Sequence, residues 1–369
     1  MLEVDLNAEL ERQLGVCNAC RYCEGFCATF GAAQLRAPGG PADFAYLANL
    51  CHDCRMCYDA CMFTPPHEFA INIPAAMAST RARTYEDYAV PAAFARALRS
   101  TRFGTVAIVA ACVAAVFLAV ILISGPGVLR TAVRGPAAFY RVLPYAVMVT
   151  ASLALVLSGF VCVAAGALRF ARDIGRGEHF VTPRTLGVAL HQALALTYLK
   201  GGGAGCYDVT RRSGRRRAFH ALVFWGVMAD LVSTTSAAIE QDFLHVLPPY
   251  PLWSVPVVLG TAGGIAIAIG AAGLIAFKRA SDERPTNGRM IALDYAFLGL
   301  LEALALSGLA LLAFRSTAAM GSLLVLHLGV VAGAFATAPY GKFVHFVYRS
   351  IALIMNAHEQ GPEPETTGS

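Results

Sequence analysis

Six apolar stretches, each close to the ~20 residues that a bilayer requires, constrain this chain more than any other feature. They lie at about 103–124, 143–168, 218–240, 252–277, 291–314 and 319–340, and the last runs on past Pro339 to about 356, where the pattern is still helical. Hydrophobic residues make up 57% of the chain and charged residues only 14%. Soluble domains carry roughly a quarter charged, so most of this chain has lipid as its solvent. Its length of 369 residues alone would suit about two or three soluble domains, a reading that the mean hydropathy of +0.56 excludes.

The distribution of charge orients the spans. The linker before the first carries Arg81, Arg83, Arg96, Arg99 and Arg102 and reads as a basic amphipathic approach to the membrane. Segment 169–217 carries Arg169, Arg172, Arg176, Arg184, Lys200, Arg211, Arg212, Arg215, Arg216 and Arg217, and 278–290 carries Lys278, Arg279, Arg284 and Arg289. Of the alternate loops, 125–142 has three Arg, 241–251 has no Lys or Arg, and 315–318 has one. By the positive-inside rule this alternation predicts six spans with both termini cytoplasmic. Within the long inner segment, 185–199 is helical in pattern but short for a span, so it is expected in the interface or under the bundle. The Gly-rich run 201–206 that follows reads as a linker, or as a loop where backbone approaches a cofactor or partner closely.

Eight of the eleven cysteines fall between Cys17 and Cys61. Residues 1–15 are acidic and lack the apolar core of a signal peptide, so a reducing, cytoplasmic setting with metal ligation is expected rather than disulfides. Cys17, Cys20, Cys23 and Cys27 follow a C-x2-C-x2-C-x3-C spacing that Cys51, Cys54, Cys57 and Cys61 repeat. Spacings of three along tight turns aim three sulfurs at one cubane cluster, and in two-cluster ferredoxins the fourth Cys serves the other cluster. That rule sorts Cys17, Cys20, Cys23 and Cys61 to one [4Fe–4S] cluster, and Cys51, Cys54, Cys57 and Cys27 to the second. The proline usual after the fourth Cys is absent, Ala28 and Met62 standing there instead. Zinc also takes C-x2-C pairs, but two registered sets of four favour iron–sulfur. His52 and His67 lie nearby and are expected to be non-ligands, and Cys112, Cys162 and Cys206 are expected to be dispensable for clusters.

Haem b in a bundle needs two imidazoles from facing helices at matching depth. His327 and His345 are 18 residues apart, five turns of one face and ~27 Å in depth, with Pro339 between them. His345 and His220 both lie near inner ends of spans, so they form the expected pair, and the adjacent Arg and Lys residues suit haem propionates. His191 with His345, and His245 with His327, are the competing pairings. His179 and His358 read as solvated. Asp230, Glu302 and Glu240 are acidic groups within spans, costly there, and suit either a quinone proton route or structural hydrogen bonds.

The chain resembles the tricarballylate utilisation protein B family, also known as citrate-utilisation iron–sulfur proteins. The match rests on CNACRYCEGFC at 17–27, CHDCRMCYDAC at 51–61 with PPHEFAIN at 65–72, the Gly-rich loop with Cys206, Phe219-His220, PYPLWS at 249–254, LHLG at 326–329 and PYGKFVH at 339–345. The membrane part is also similar to the cytochrome b subunit of respiratory nitrate reductase, whose second His pair is ten apart; here Asp230 stands ten residues after His220. A second haem at His327 therefore lacks its expected partner, and one haem is expected.

The resemblance implies a protein that reoxidises the reduced FAD of a partner dehydrogenase on the cytoplasmic face and passes electrons through two [4Fe–4S] clusters and haem b to the quinone pool. It would be the electron-transfer component of an oxidoreductase system, with no nucleic-acid partner, in the bacterial inner membrane. Clusters are one-electron carriers while reduced flavin holds two, which suits such a relay, and the basic inner loops could dock an acidic partner surface. A heterodisulfide-reductase-like membrane reductase and a redox-sensing transporter are the rival readings. The expected fold is all-α: a two-[4Fe–4S] ferredoxin-like helical domain at 1–80, a basic linker at 81–102, a six-span cytochrome-b-like bundle at 103–356 and a disordered tail at 357–369.

Overall fold

A computed structural model describes residues 5–99, 103–200, 206–208 and 211–361. The side chain of Cys206, the Gly-rich run 201–205, Arg102 and the tail from residue 362 lie outside the described residues.

The cysteine-rich part is built from short helices: α1 (Leu6–Cys20), α2 (Ala28–Leu35), α3 (Pro41–Leu50), α4 (Met56–Asp59) and α5 (Ile73–Asp87). Local signals set their ends. Asp5 caps α1 by accepting from Asn7 N–H at 3.0 Å, and Asn72 caps α5 by accepting from Ala75 N–H at 3.2 Å, each satisfying an amide that the first helical turn leaves unpaired. Helix α5 runs straight through residue 80, where the sequence placed the start of a basic linker. Arg81 does not face a membrane surface; it is 4% exposed and turned into the domain. Such a burial is tolerable because the guanidinium is satisfied: Nε donates to the Ala48 carbonyl at 2.7 Å and Nη2 to the Cys51 carbonyl. Only α6 (Ala92–Arg99) has the amphipathic character expected of the approach, with Ala95 and Leu98 inward.

Six helices are long and apolar enough to cross a membrane. They are α7 (Gly104–Ser124), α9 (Tyr145–Gly175), α11 (Arg215–Asp242), α12 (Val255–Ala280), α13 (Gly288–Phe314), and α14 (Met320–Thr337), which continues through a 3-10 turn into α15 (Val344–Glu359). Two short helices, α8 (Ala138–Val142) and α10 (Pro183–Leu194), lie in the connections, and a two-stranded antiparallel ribbon pairs Cys206–Asp208 with Arg211–Ser213. Helix α10 packs against α15 and buries Ala189 while leaving Leu186 and Leu190 exposed.

Small residues bring the membrane helices together, the usual solution where lipid offers no hydrophobic drive for association. A Cβ at Gly226 of α11 would sit 2.9 Å from the Gly263 carbonyl of α12, and one at Gly333 of α14 would sit 2.8 Å from Val109 Cα of α7. The expected continuous face from His327 to His345 is broken. Pro339 cannot donate to the helix ladder, so the chain turns at Ala338–Tyr340 and starts a new helix at Val344.

The bundle has two distinct ends. At one, the cysteine-rich domain and the most basic connections meet: Arg55 Nη1 donates to the Asp282 carbonyl at 2.6 Å and Arg36 Nη1 to the Ile174 carbonyl at 2.8 Å. At the other, Ala137 N–H donates to the Pro248 carbonyl at 2.7 Å and Arg315 Nη1 to the Tyr250 carbonyl at 2.7 Å. One apolar core runs without a break from Leu10, Tyr46, Leu50 and Met77 into Phe170, Met290, Tyr348 and Leu353 of the membrane helices. The cysteine-rich domain is therefore seated on the bundle, not tethered to it.

Candidate functional site

The cysteine sets are shaped by chain reversals. A continuous helix would string residues three apart along its axis at about 4.5 Å per step, so converging sulfurs require turns. Helix α1 stops after Cys20 because Arg21 is left-handed (φ 57°) and returns its N–H to the Cys17 carbonyl at 2.8 Å. A further turn, closed by Phe26 N–H to the Cys23 carbonyl at 3.0 Å, delivers Cys27 to the start of α2. In the second run Cys51 ends α3, left-handed Asp53 (φ 54°) and Arg55 (φ 65°) flank Cys54, and Cys57 lies in α4.

Cys17, Cys20, Cys23 and Cys61 line one cavity of about 390 Å³, walled by Phe30, Phe63 and Ile71. This is the grouping in which the fourth cysteine crosses over. Burial pushes the Cys17 thiol up to about 12 and that of Cys23 to about 11, with Cys61 and Cys20 adding to both. In the other set burial, then the neighbouring Cys51, raises Cys27, and burial with Cys51 and Cys27 beside it holds Cys57 well above the usual thiol range. Cys54 is buried against Met56 and Phe26. A metal ion that coordinates such thiols deprotonates them. Among the described residues no three ligating side chains converge on a single-ion position. The first four sulfurs surround a space.

The second cavity, also about 390 Å³, lies where the cysteine-rich domain meets the bundle. His220 of α11 and His345 of α15 both line it, among Val223, Phe224, Phe297, Phe343 and Phe346. His220 Nδ1 is buried without a hydrogen-bond partner, while His345 Nδ1 lies 3.4 Å from the Tyr85 hydroxyl of α5. Arg81, Arg216, Lys342 and Arg349 share the lining. Two imidazoles, an apolar wall and a cationic edge in one cavity are a donor set and lining that suit haem b.

The other histidines lie elsewhere. His327 is engaged by Ser307, its Nδ1 2.9 Å from the hydroxyl, and does not reach the cavity. His191 is exposed on α10 and outside the lining, although Gln192 and Ala193 are part of it. His245 is exposed, and His358 pairs with Glu178 at 3.2 Å. Asp230 and Glu302 each hold one buried, unpartnered carboxylate oxygen within a span.

Sequence reasoning missed a buried triad at the cavity. Asp294 of α13 is 4% exposed and pairs with Lys278 of α12 at 2.5 Å and with Lys342. An acid in the second turn of an apolar span is itself a signal, but its partners lie on other helices and no local pattern reveals them.

The architecture and its cysteine-rich site define a class: a multi-span helical membrane protein with an iron–sulfur domain docked on one end. Its membrane half, residues 99–364, matches the family model "Citrate utilization protein B", and residues 10–87 match that family's Fer4-like domain. A curated relative, citrate utilization protein B of Escherichia coli, is 42% identical over 360 residues, covering 96% of this chain and 92% of that protein. The chain belongs to the citrate utilization protein B family. No solved structure matches it.

Proposed function

We propose that this protein reoxidises the reduced FAD of a partner dehydrogenase and passes its electrons through two [4Fe–4S] clusters and haem b to the quinone pool. The carrying observation is the cavity holding His220 and His345 directly beneath the second cysteine run. Cys17, Cys20, Cys23 and Cys61 would hold the outer cluster, and Cys27, Cys51, Cys54 and Cys57 the inner one. His220 and His345 would hold the haem, and Arg81, Arg216, Lys342 and Arg349 would offset the charge of its carboxylates. When bound, these centres supply the one-electron steps between a two-electron flavin and a two-electron quinone.

The chain's own residues hold this arrangement rigid. Three arginines from three elements fasten the backbone of the second run: Arg81 bonds the Ala48 and Cys51 carbonyls, Arg349 the Leu50 carbonyl at 2.9 Å, and Arg216 those of His52 and Asp53. Asp230 and Glu302, with unpartnered buried oxygens, are candidates for proton passage to a quinone. By the positive-inside rule, the basic connections favour a docked domain and both termini on the cytoplasmic side of a bacterial inner membrane. Because the relative in Escherichia coli is named for citrate utilization, a dehydrogenase acting on a tricarboxylate such as tricarballylate is the partner we favour.

Reduced-minus-oxidised spectra of membranes carrying single His→Ala variants test this reading. The haem-b signal is expected to vanish in His220→Ala and His345→Ala and to persist in His191→Ala, His245→Ala and His327→Ala. A wild-type haem spectrum in His345→Ala would end the proposed pairing.

A further inference from the structure

His52 follows Cys51 directly, yet its imidazole belongs to the other site. It is 7% exposed and lines the same cavity as His220 and His345. Its Nε2 is buried and has no hydrogen-bond partner. A buried orphan of this kind costs about 1–3 kcal/mol, and native interiors rarely leave one without a bound group to meet it. Nothing in the cluster-ligand geometry accounts for it, since the sulfurs of the second run come from its cysteines.

The surroundings indicate what the orphan awaits. Presented as its Nε2–H tautomer, the ring offers one donor to the cavity. The cavity lining carries Arg55, Arg81, Arg216, Lys278, Lys342 and Arg349 against only Asp53 and Asp294. A donor in so cationic a space faces an anionic acceptor. The backbone that carries His52 is also the stretch from residue 48 to residue 53 that three arginines fasten, so the ring is presented from a fixed support.

We propose that His52 donates its Nε2–H to a carboxylate of the haem, making one side chain the bridge between the loop of Cys51 and the membrane cofactor. This rests on the haem reading above and adds a contact that the reading does not require. The bridge would bring the inner cluster's own loop to the edge of the cofactor, and it would select an acidic porphyrin over an esterified one.

Full-length protein purified in detergent from haem-deficient cells would be titrated with ferric protoporphyrin IX and with its dimethyl ester. Wild type is expected to prefer the free acid. A hydrogen bond to a charged group is worth enough that this preference should fall about tenfold to a hundredfold in His52→Ala, with ester binding little changed. His52→Gln, which restores an N–H donor of similar reach, should recover part of the preference. An unchanged preference in His52→Ala overturns the proposal. Equal loss of both porphyrins, not rescued by glutamine, assigns His52 a merely structural role and overturns it too. Failure of the wild type to bind haem, or binding that survives His220→Ala and His345→Ala, would instead refute the haem reading and this bridge together.

Discussion

Replacing Arg36 by methionine should loosen the whole docked domain. The guanidinium is 3% exposed and binds Asp43 at 2.8 Å, the Ile174 carbonyl at 2.8 Å and Glu359, so it joins α2 and α3 to the ends of α9 and α15. It also lies 4.6 Å from the centre of the Tyr46 ring. Removing one partner of a buried ion pair typically costs about 3–5 kcal/mol, because the other charge stays buried and uncompensated. Here the stranded carboxylates keep some partners. Asp43 still accepts from Gly40 N–H at 2.8 Å and pairs with Arg176, and Glu359 still accepts from the Tyr46 hydroxyl at 2.9 Å. Arg176 is half exposed, so its pair with Asp43 is screened and contributes little. The expected penalty is therefore near the low end, about 3 kcal/mol.

Denaturation in detergent, followed through the cluster absorbance, would measure this cost. Arg36→Met combined with Asp43→Asn should recover part of it, since the two sites share one interaction. The pH dependence has a definite sign. Burial works against the Asp43 carboxylate, but Gly40 N–H, Arg36 and Arg176 outweigh it and hold the group below its usual range. A depressed acid contributes stability above its unfolded value of about 3.9 and loses it as pH falls through the folded one. The penalty should accordingly be full at neutral pH and shrink below about pH 4. A loss under about 1 kcal/mol at pH 7, or strict additivity with Asp43→Asn, would refute the reasoning.

Reporter fusions after about residues 135, 210, 247 and 284 and at the C-terminus should place 210, 284 and the C-terminus in the cytoplasm and the other two outside. A periplasmic signal at 210 would put the cysteines on the wrong side for a cytoplasmic flavoprotein. Asp294→Asn strands two partly buried ammonium groups and should cost about 3 kcal/mol, part of which Lys342→Met in the same chain should return. Thermal denaturation of the single and double variants decides it, and equal stability of the single variant and wild type would contradict the triad's structural role.

The sequence made the spans legible because lipid demands long apolar runs, and most ends move by a few residues, although the second membrane helix runs seven residues past the expected end, to Gly175. The cysteine turns were legible because their spacing has few uses. Matching depth and neighbouring cations paired His220 with His345, and both line one cavity. What stayed hidden depends on partners remote in the chain. Arg81 looked like part of a basic surface until Ala48 and Cys51 supplied carbonyls to bury it. Asp294 needed Lys278 and Lys342 from other helices, and the buried, unpartnered nitrogen of His52 became visible only in the cavity that it lines. Between His327 and His345 the chain turns at Pro339, which ends one helix before the next begins.

The central claim is that the two cysteine runs hold two cubane clusters, and assay of iron and acid-labile sulfide in anaerobically purified protein tests it most directly. Four irons per cluster lead to about eight iron and about eight sulfide per chain, unchanged in Cys112→Ser and Cys162→Ser. About four of each, or zinc in stoichiometric amount, would contradict the account.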